Sequence, residues 1–202
     1  MMSSTVTVPQ AREDFTAEWL TQALSQQSDL RGAQVVSVKI EDIGQGRGQI
    51  GQLLRLTPVY DGPHGDGPRS VVAKFPATFA GDQSDTRAMI ANLFSNEAQW
   101  YANLAADCPV RVPRPYWVGM DSAASRFCLL LEDLGSLRTR TAKESCDATE
   151  ARLLVEALAK LHAAWWAHKG LEGHAWLRTT DQSGAVLMRL YQGGWSSFAA
   201  AH

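Results

Sequence analysis

The sequence predicts an α+β fold: an antiparallel sheet of about five strands with one long helix, followed by further helices. Three observations carry this prediction. Two stretches of period-two apolar alternation flank a glycine-rich segment. A short apolar strand, SVVAKF, carries a single lysine, Lys74. A helical stripe downstream encloses a carboxylate, Glu97.

Residues 1–13 read as loosely held. Thr16 caps a helix running to about Gln27, with Glu18 in its first turn and Trp19, Leu20, Ala23 and Leu24 on its apolar side. Val36, Val38 and Ile40 then alternate with Ser37, Lys39 and Glu41, the period of a strand. Gly46, Gly48 and Gly51 follow as G-x-G-x-x-G. Alternation resumes with Leu54, Leu56 and Pro58 against Leu53, Arg55 and Thr57, and Pro58 with the DGPHGDGP run forbids a helix there. The glycines therefore lie in a strand-loop-strand hairpin. Such a loop bares backbone N–H groups that phosphate oxygens can approach. A dinucleotide site uses the same spacing, but its loop opens a helix. A hairpin with a lysine on the next strand is the kinase-type arrangement. A rival register, Gly44-x-Gly46, moves the loop by two.

Residues 85–106 form the long helix, with Ile90, Leu93, Phe94, Trp100, Tyr101 and Leu104 repeating at three and four. Glu97 falls inside that stripe and needs a cation, while Lys74 has the mirror problem in its apolar strand. The two are expected to pair. YWVGMD and RFCLLLEDL read as two strands joined by a DSAAS turn, and the second turns acidic at Glu132 and Asp133. The polar run from Ser136 to Ser145 marks a boundary between residues 1–134 and 135–202. Asp147 with Glu150 makes a capping-box start for a helix to about His168, with Leu154, Leu158, Leu161 and Trp165 as its buried stripe and His162 as a hydrogen-bonded structural histidine. A last helix, over about 184–201, carries Trp195 and Phe198.

Composition narrows the function classes. The 202 residues are 45% apolar and 20% charged with a net charge of −2, an ordinary globular balance. There is no clustered basic face for nucleic acid, no apolar run long enough to span a membrane and no signal-peptide core. Cys108, Cys128 and Cys146 have neither disulfide nor metal-site spacing. They read as reduced thiols of a cytoplasmic protein.

In order, IGQGRGQIGQ, SVVAKF, NEAQWYANLA, RFCLLLEDL and LAKLHAAWW resemble the aminoglycoside-phosphotransferase-like kinases, and more narrowly the ecdysteroid-kinase-like and choline-kinase-like branch. The likeness runs from about Phe15 to Phe198. It implies a protein-kinase-like N-lobe, residues 1–134, followed by the first helices of a helical C-lobe, residues 135–202. It implies that Gly46, Gly48 and Gly51 cover the phosphates of ATP and that Leu53 and Val72 line the adenine pocket. Lys74 would hold the α- and β-phosphates, fixed by Glu97. Backbone groups at Glu132 and Leu134 would bond the adenine edge. The implied partners are ATP with Mg2+ and a small hydroxyl-bearing acceptor.

The same likeness implies that the H-G-D-x-x-x-x-N catalytic loop and the metal-binding Asp lie beyond His202. The chain alone is then expected to be inactive as a phosphotransferase. His64-Gly65-Asp66 mimics the catalytic triplet, but Val71 stands where the pattern needs Asn, so these are expected to be turn residues. Two other readings stand beside the kinase: a non-catalytic nucleotide- or partner-binding module, and a dinucleotide-binding oxidoreductase. The last requires a helix directly after Gly51.

Overall fold

In the computed structural model of the chain, the described residues are 6–44, 51–76, 84–121, 126–137, 144, 146–177 and positions 184, 188, 191, 192, 194, 195, 198 and 199, with backbone alone for 84–92. The chain divides into two compact units, Met1–Leu161 and His162–His202.

The first unit opens on a stretch that is held more firmly than its polarity suggests. Val6 is buried, the indole Nε1 of Trp19 donates to the Thr7 carbonyl at 2.8 Å, and Arg12 Nη2 donates to the Ile40 carbonyl at 2.6 Å. Residues 6–13, expected to be loose, are thus fixed by tertiary contacts that leave no local pattern in the sequence. Helix α1, Ala17–Leu24, starts where the sequence places it: the Thr16 hydroxyl accepts the Trp19 N–H at 3.1 Å. Trp19, Leu20, Ala23 and Leu24 are buried as expected, and the helix ends a turn earlier than expected, at Leu24.

Five antiparallel strands follow in the sheet order β1-β2-β3-β5-β4. They are β1 (Val35–Asp42), β2 (Gly51–Tyr60), β3 (Val71–Pro76), β4 (Pro115–Asp121) and β5 (Arg126–Glu132). In β1 the expected alternation is broken by a bulge between Val35 and Ser37. Val35 enters the core, and Val36, expected on the apolar face, is 57% exposed. Pro58 sits opposite Val38 of β1, past the end of the β2–β3 ladder at Leu56↔Val71, so no partner on that side asks for its missing N–H.

Both faces of the sheet are packed, by different elements. On one face Leu54, Leu56, Val71, Ala73, Phe75, Cys128 and Leu130 form a core with Phe15 and the α1 residues. On the other, Phe127, Leu129 and Leu131 meet Phe94 and Ala98 of α2, Ser84–Asn103. The buried line on α2 is Phe94, Ala98 and, just past its end, Leu104, with Tyr101 half-buried. Leu93, expected in the stripe, is 45% exposed. The fully buried Ala98 packs with Phe94 against Phe127, Leu129 and Leu131, on a face that leaves Leu93 outside. The side chain of Ile90 lies outside the described residues.

Helix α3, Ala148–Trp165, has the expected capping box: Glu150 N–H donates to Asp147 Oδ1 at 2.9 Å and Asp147 N–H to Glu150 Oε2 at 3.1 Å. It ends at Trp165, where Ala167 takes a left-handed φ of 49°. Of its apolar stripe, Leu154 and Leu158 are exposed, as expected of a stripe that further chain would cover, while Leu161 and Trp165 are half-buried; His162, expected to be a bonded structural histidine, is exposed. The described positions from 184 to 199 are helical, with Trp195 and Phe198 exposed and their rings stacked at 5.8 Å. No helix among the described residues is long and apolar enough to cross a membrane.

All three cysteines are free: Cys146 is exposed, Cys108 half-buried and Cys128 enclosed in the core. Burial pushes the Cys128 thiol far above its ordinary value. With a thiol reagent in neutral buffer, Cys146 should react first and Cys108 more slowly. Cys128 should react only once denaturant opens the sheet, so its labelling rate reports unfolding. Peptide mapping after timed alkylation checks this, and rapid native labelling of Cys128 would contradict the packing.

Candidate functional site

The alternation of β3 decides where Lys74 goes. Val71, Ala73 and Phe75 point into the α1-side core, so Val72 and Lys74 share the opposite face. Lys74 stands between Leu53 of β2 and Leu129 of β5. Its Nζ lies 2.7 Å from both carboxylate oxygens of Glu97 and 5.8 Å from the centroid of the Phe94 ring. The ion pair expected from two stranded charges is therefore present. It is not dry: the two side chains are 30% and 33% exposed.

The surroundings of the pair are graded. α2 covers the β4–β5 half of this face, where Leu129 and Leu131 are buried. Toward β2 the cover thins among the described residues, and Leu53, Arg55, Val72 and Lys74 are half-buried in two cross-strand pairs, Leu53↔Lys74 and Arg55↔Val72. Leu53 and Val72, expected to floor an adenine pocket, thus lie beside the lysine on an open face.

Of the loop glycines, Gly46 and Gly48 lie outside the described residues. Gly51 is the first residue of β2, opposite Pro76. A Cβ there would fall 2.6 Å from Phe94 Cζ and 3.2 Å from the Phe75 carbonyl oxygen. Close packing alone therefore demands this glycine. For the rival register, Gly44 donates its N–H to Asp42 Oδ1 at 2.9 Å. The Ile43 N–H donates to the Leu53 carbonyl at 3.0 Å and extends the hairpin. After Gly51 the chain is strand, so the helix that a dinucleotide loop opens is not there.

The segment leaving β5 is tightly held. The Glu132 N–H donates to the Arg114 carbonyl at 2.8 Å, and its carboxylate takes Arg111 Nη2 at 2.7 Å and the Arg114 N–H at 3.2 Å. Of the expected adenine contacts, the Glu132 N–H is therefore already committed. The Leu134 carbonyl accepts the Leu137 N–H at 2.8 Å, while its own N–H has no acceptor among the described residues.

Between them sits Asp133, which the sequence marked only as acidic. Its carboxylate accepts Arg55 Nε at 2.7 Å and Nη2 at 3.3 Å, Ser70 Oγ at 2.8 Å and the Gly135 N–H at 2.9 Å. Burial alone would push this carboxyl up. The three donors and the Arg55 charge outweigh it and hold the carboxyl below its ordinary value. Arg55 is raised in turn, chiefly by its bond to Asp133, against desolvation. Arg55 and Asp133 are 78 residues apart, and no local pattern announces their pairing.

The His64-Gly65-Asp66 triplet closes a turn: the Gly67 N–H donates to the His64 carbonyl at 2.8 Å, and the His64 ring stacks on Tyr60 at 4.1 Å. It lies between β2 and β3, at the end of the hairpin away from Lys74. These are turn residues, as the spacing implied. No protein-family model, curated protein or solved structure matches the chain.

Two measurements follow from this geometry. A double-mutant cycle with Lys74→Met and Glu97→Gln should return a coupling of about 1 kcal/mol, since one-third exposure keeps the pair near surface values and below the roughly 3–5 kcal/mol of breaking a dry pair. A coupling near zero would mean that the two charges do not depend on each other. Asp133 sets a pH dependence. Its folded carboxyl titrates below the unfolded one, so its stabilisation is complete above roughly pH 4 and fades as pH falls through the folded value. Asp133→Asn should cost about 1–3 kcal/mol at neutral pH, and the gap to wild type should narrow on acidification. Urea titrations across that range decide it, and a gap that is constant with pH would count against the assignment.

Proposed function

We propose that this chain is the ATP-binding lobe of a small-molecule O-phosphotransferase, a kinase whose parent reaction moves the γ-phosphoryl group of ATP to a hydroxyl of a small acceptor. The observation that carries this reading is the Lys74–Glu97 pair, 2.7 Å at both oxygens, on the open part of an antiparallel sheet. The sheet order β1-β2-β3-β5-β4, with α2 inserted between β3 and β4, supports a kinase-like N-lobe.

The residues fit the ligand. An ammonium has three N–H donors. Two reach Glu97, which holds the amine in place, and the third remains for a phosphate oxygen. Leu53 and Val72 offer an apolar surface for a purine, and the Leu134 N–H, without an acceptor among the described residues, is a donor at the rim. Gly46, Gly48 and Gly51 complete the proposal as the loop over the phosphates. Magnesium enters with the nucleotide. It would neutralise the phosphate charge that Lys74 meets.

Transfer itself needs a carboxylate to accept the hydroxyl proton. Asp66 does not supply it, since it sits in the turn at the wrong end of the hairpin. Glu132 and Asp133 are engaged by Arg111 and Arg55. We therefore assign nucleotide binding, and not turnover, to these residues. That assignment also accommodates a non-catalytic nucleotide-binding module. The two are separated by phosphoryl transfer from labelled ATP to a panel of aminoglycoside, choline and sterol hydroxyls, run with this chain and with a version extended through an H-G-D-x-x-x-x-N loop: transfer by the extended version marks the kinase, and none by either marks the module.

Calorimetric titration of ATP should show weak binding that Lys74→Ala reduces by roughly tenfold, about 1.4 kcal/mol. Equal affinity in wild type and variant, or a preference for NAD, would reject the kinase assignment.

A further inference from the structure

Asp133 ties together three parts of the sheet unit. Arg55 lies in β2, Ser70 immediately precedes β3, and Gly135 follows on the chain leaving β5. The carboxylate is only 10% exposed. A Cβ at Gly135 would collide with Arg55 Nη2 and lie 2.9 Å from Asp133 Oδ1, so a larger residue there would press on the bridge and displace the guanidinium.

The position of this clamp matters because peptide units are planar. The two units that meet at the Asp133 Cα carry the Glu132 carbonyl and the Leu134 N–H. Holding the side chain of Asp133 removes freedom from both planes at once. The neighbouring groups are already spoken for. The Glu132 N–H and carboxylate are bound by Arg114 and Arg111, and the Leu134 carbonyl by Leu137. Among the described residues the Leu134 N–H has no acceptor, and the clamp holds it at a fixed place on the rim.

We propose that Asp133, through Arg55 and Ser70, is the positioning residue for the purine base of the bound nucleotide. It acts by fixing the orientation of the Leu134 N–H and the Glu132 carbonyl, without touching the phosphates. This rests on the nucleotide-binding reading above. The geometry separates the two ends of the ligand: Lys74 and Glu97 serve the phosphates, and the Asp133 clamp serves the base.

The test uses the full chain, with Asp133→Asn and the milder Ser70→Ala, which removes one donor and leaves the Arg55 bridge. Amide hydrogen exchange at Leu134 and Gly135 is measured without ligand, and affinities are measured for ATP and for inorganic tripolyphosphate. Asp133→Asn should speed exchange at both amides and weaken ATP roughly tenfold, the loss expected for a misplaced hydrogen-bonding edge. Tripolyphosphate affinity should change less than about twofold. Ser70→Ala should act in the same direction, more weakly, and decides the matter if Asp133→Asn does not fold. ATP and tripolyphosphate weakened alike, or unchanged exchange with unchanged ATP affinity, would overturn the proposal while leaving the nucleotide reading intact. A wild type that binds ATP no better than tripolyphosphate would overturn both, because the base would then make no contact.

Discussion

A charged amine in the middle strand of the sheet constrains much of this unit. β3 has neighbours on both sides, and one of its faces is wholly apolar core. Lys74 must therefore project from the other face, where desolvation would be costly without an anion. Glu97 supplies one, and in doing so it fixes how α2 lies. With Phe94 and Ala98 turned to the sheet, Glu97 falls on the flank of the helix that looks toward β3. The packing of Phe94 against Gly51 belongs to the same arrangement, since a larger residue at the start of β2 would push the helix outward.

The two faces of the sheet are packed to different extents. The α1 side is closed, and its large side chains, Phe75, Leu20, Leu24, Leu56 and Leu130, are fully buried. The α2 side is closed chiefly over β4 and β5, with α2 reaching β3 at Lys74 and the start of β2 at Gly51. Where α2 stops, the sheet presents a short apolar strip, Leu53 and Val72, with a cation near each end: Lys74 answered by Glu97, and Arg55 answered by Asp133. The second pair ties β2 to the chain leaving β5, two parts of the sheet unit that the strand order keeps apart, because β3 lies between β2 and β5.

Much of this was legible in the sequence, and the rest was hidden for identifiable reasons. The five strands, the Thr16 and Asp147 caps and the Lys74–Glu97 pair follow from period and from charges in apolar company. These are local signals, or two local signals that answer each other. The Val35 bulge was illegible because one extra residue shifts register without altering composition. On α2 the expected stripe holds at Phe94, Tyr101 and Leu104, and departs at Leu93, whose place against the sheet is taken by Ala98, a residue of little apolar weight in a periodicity. Arg55, Ser70 and Asp133 were missed because each looks like an ordinary polar residue beside a strand, and only the tertiary fold brings them together. The exposed leucines of α3 show the converse. Periodicity names the apolar residues of a helix, but it does not say that a partner is there to bury them.

Stability alone does not account for the charges on the open face. A partly solvated ion pair contributes about 0–1 kcal/mol, and apolar residues of similar size often do as well or better than a buried pair. Two such pairs beside Leu53 and Val72 make the strip harder to pack, since each needs its own hydrogen-bonding partners. The arrangement gains a reason if the strip is meant to meet a ligand with an anionic part and a flat apolar part. Lys74 and Val72 lie two residues apart along β3, about 7 Å, so an anion at Lys74 leaves Val72 and Leu53 for the apolar part. The Asp133 clamp then fixes the rim beyond them. An anion alone would need only Lys74, and an apolar ligand alone would need neither pair. A nucleotide, the ligand proposed above, has both parts.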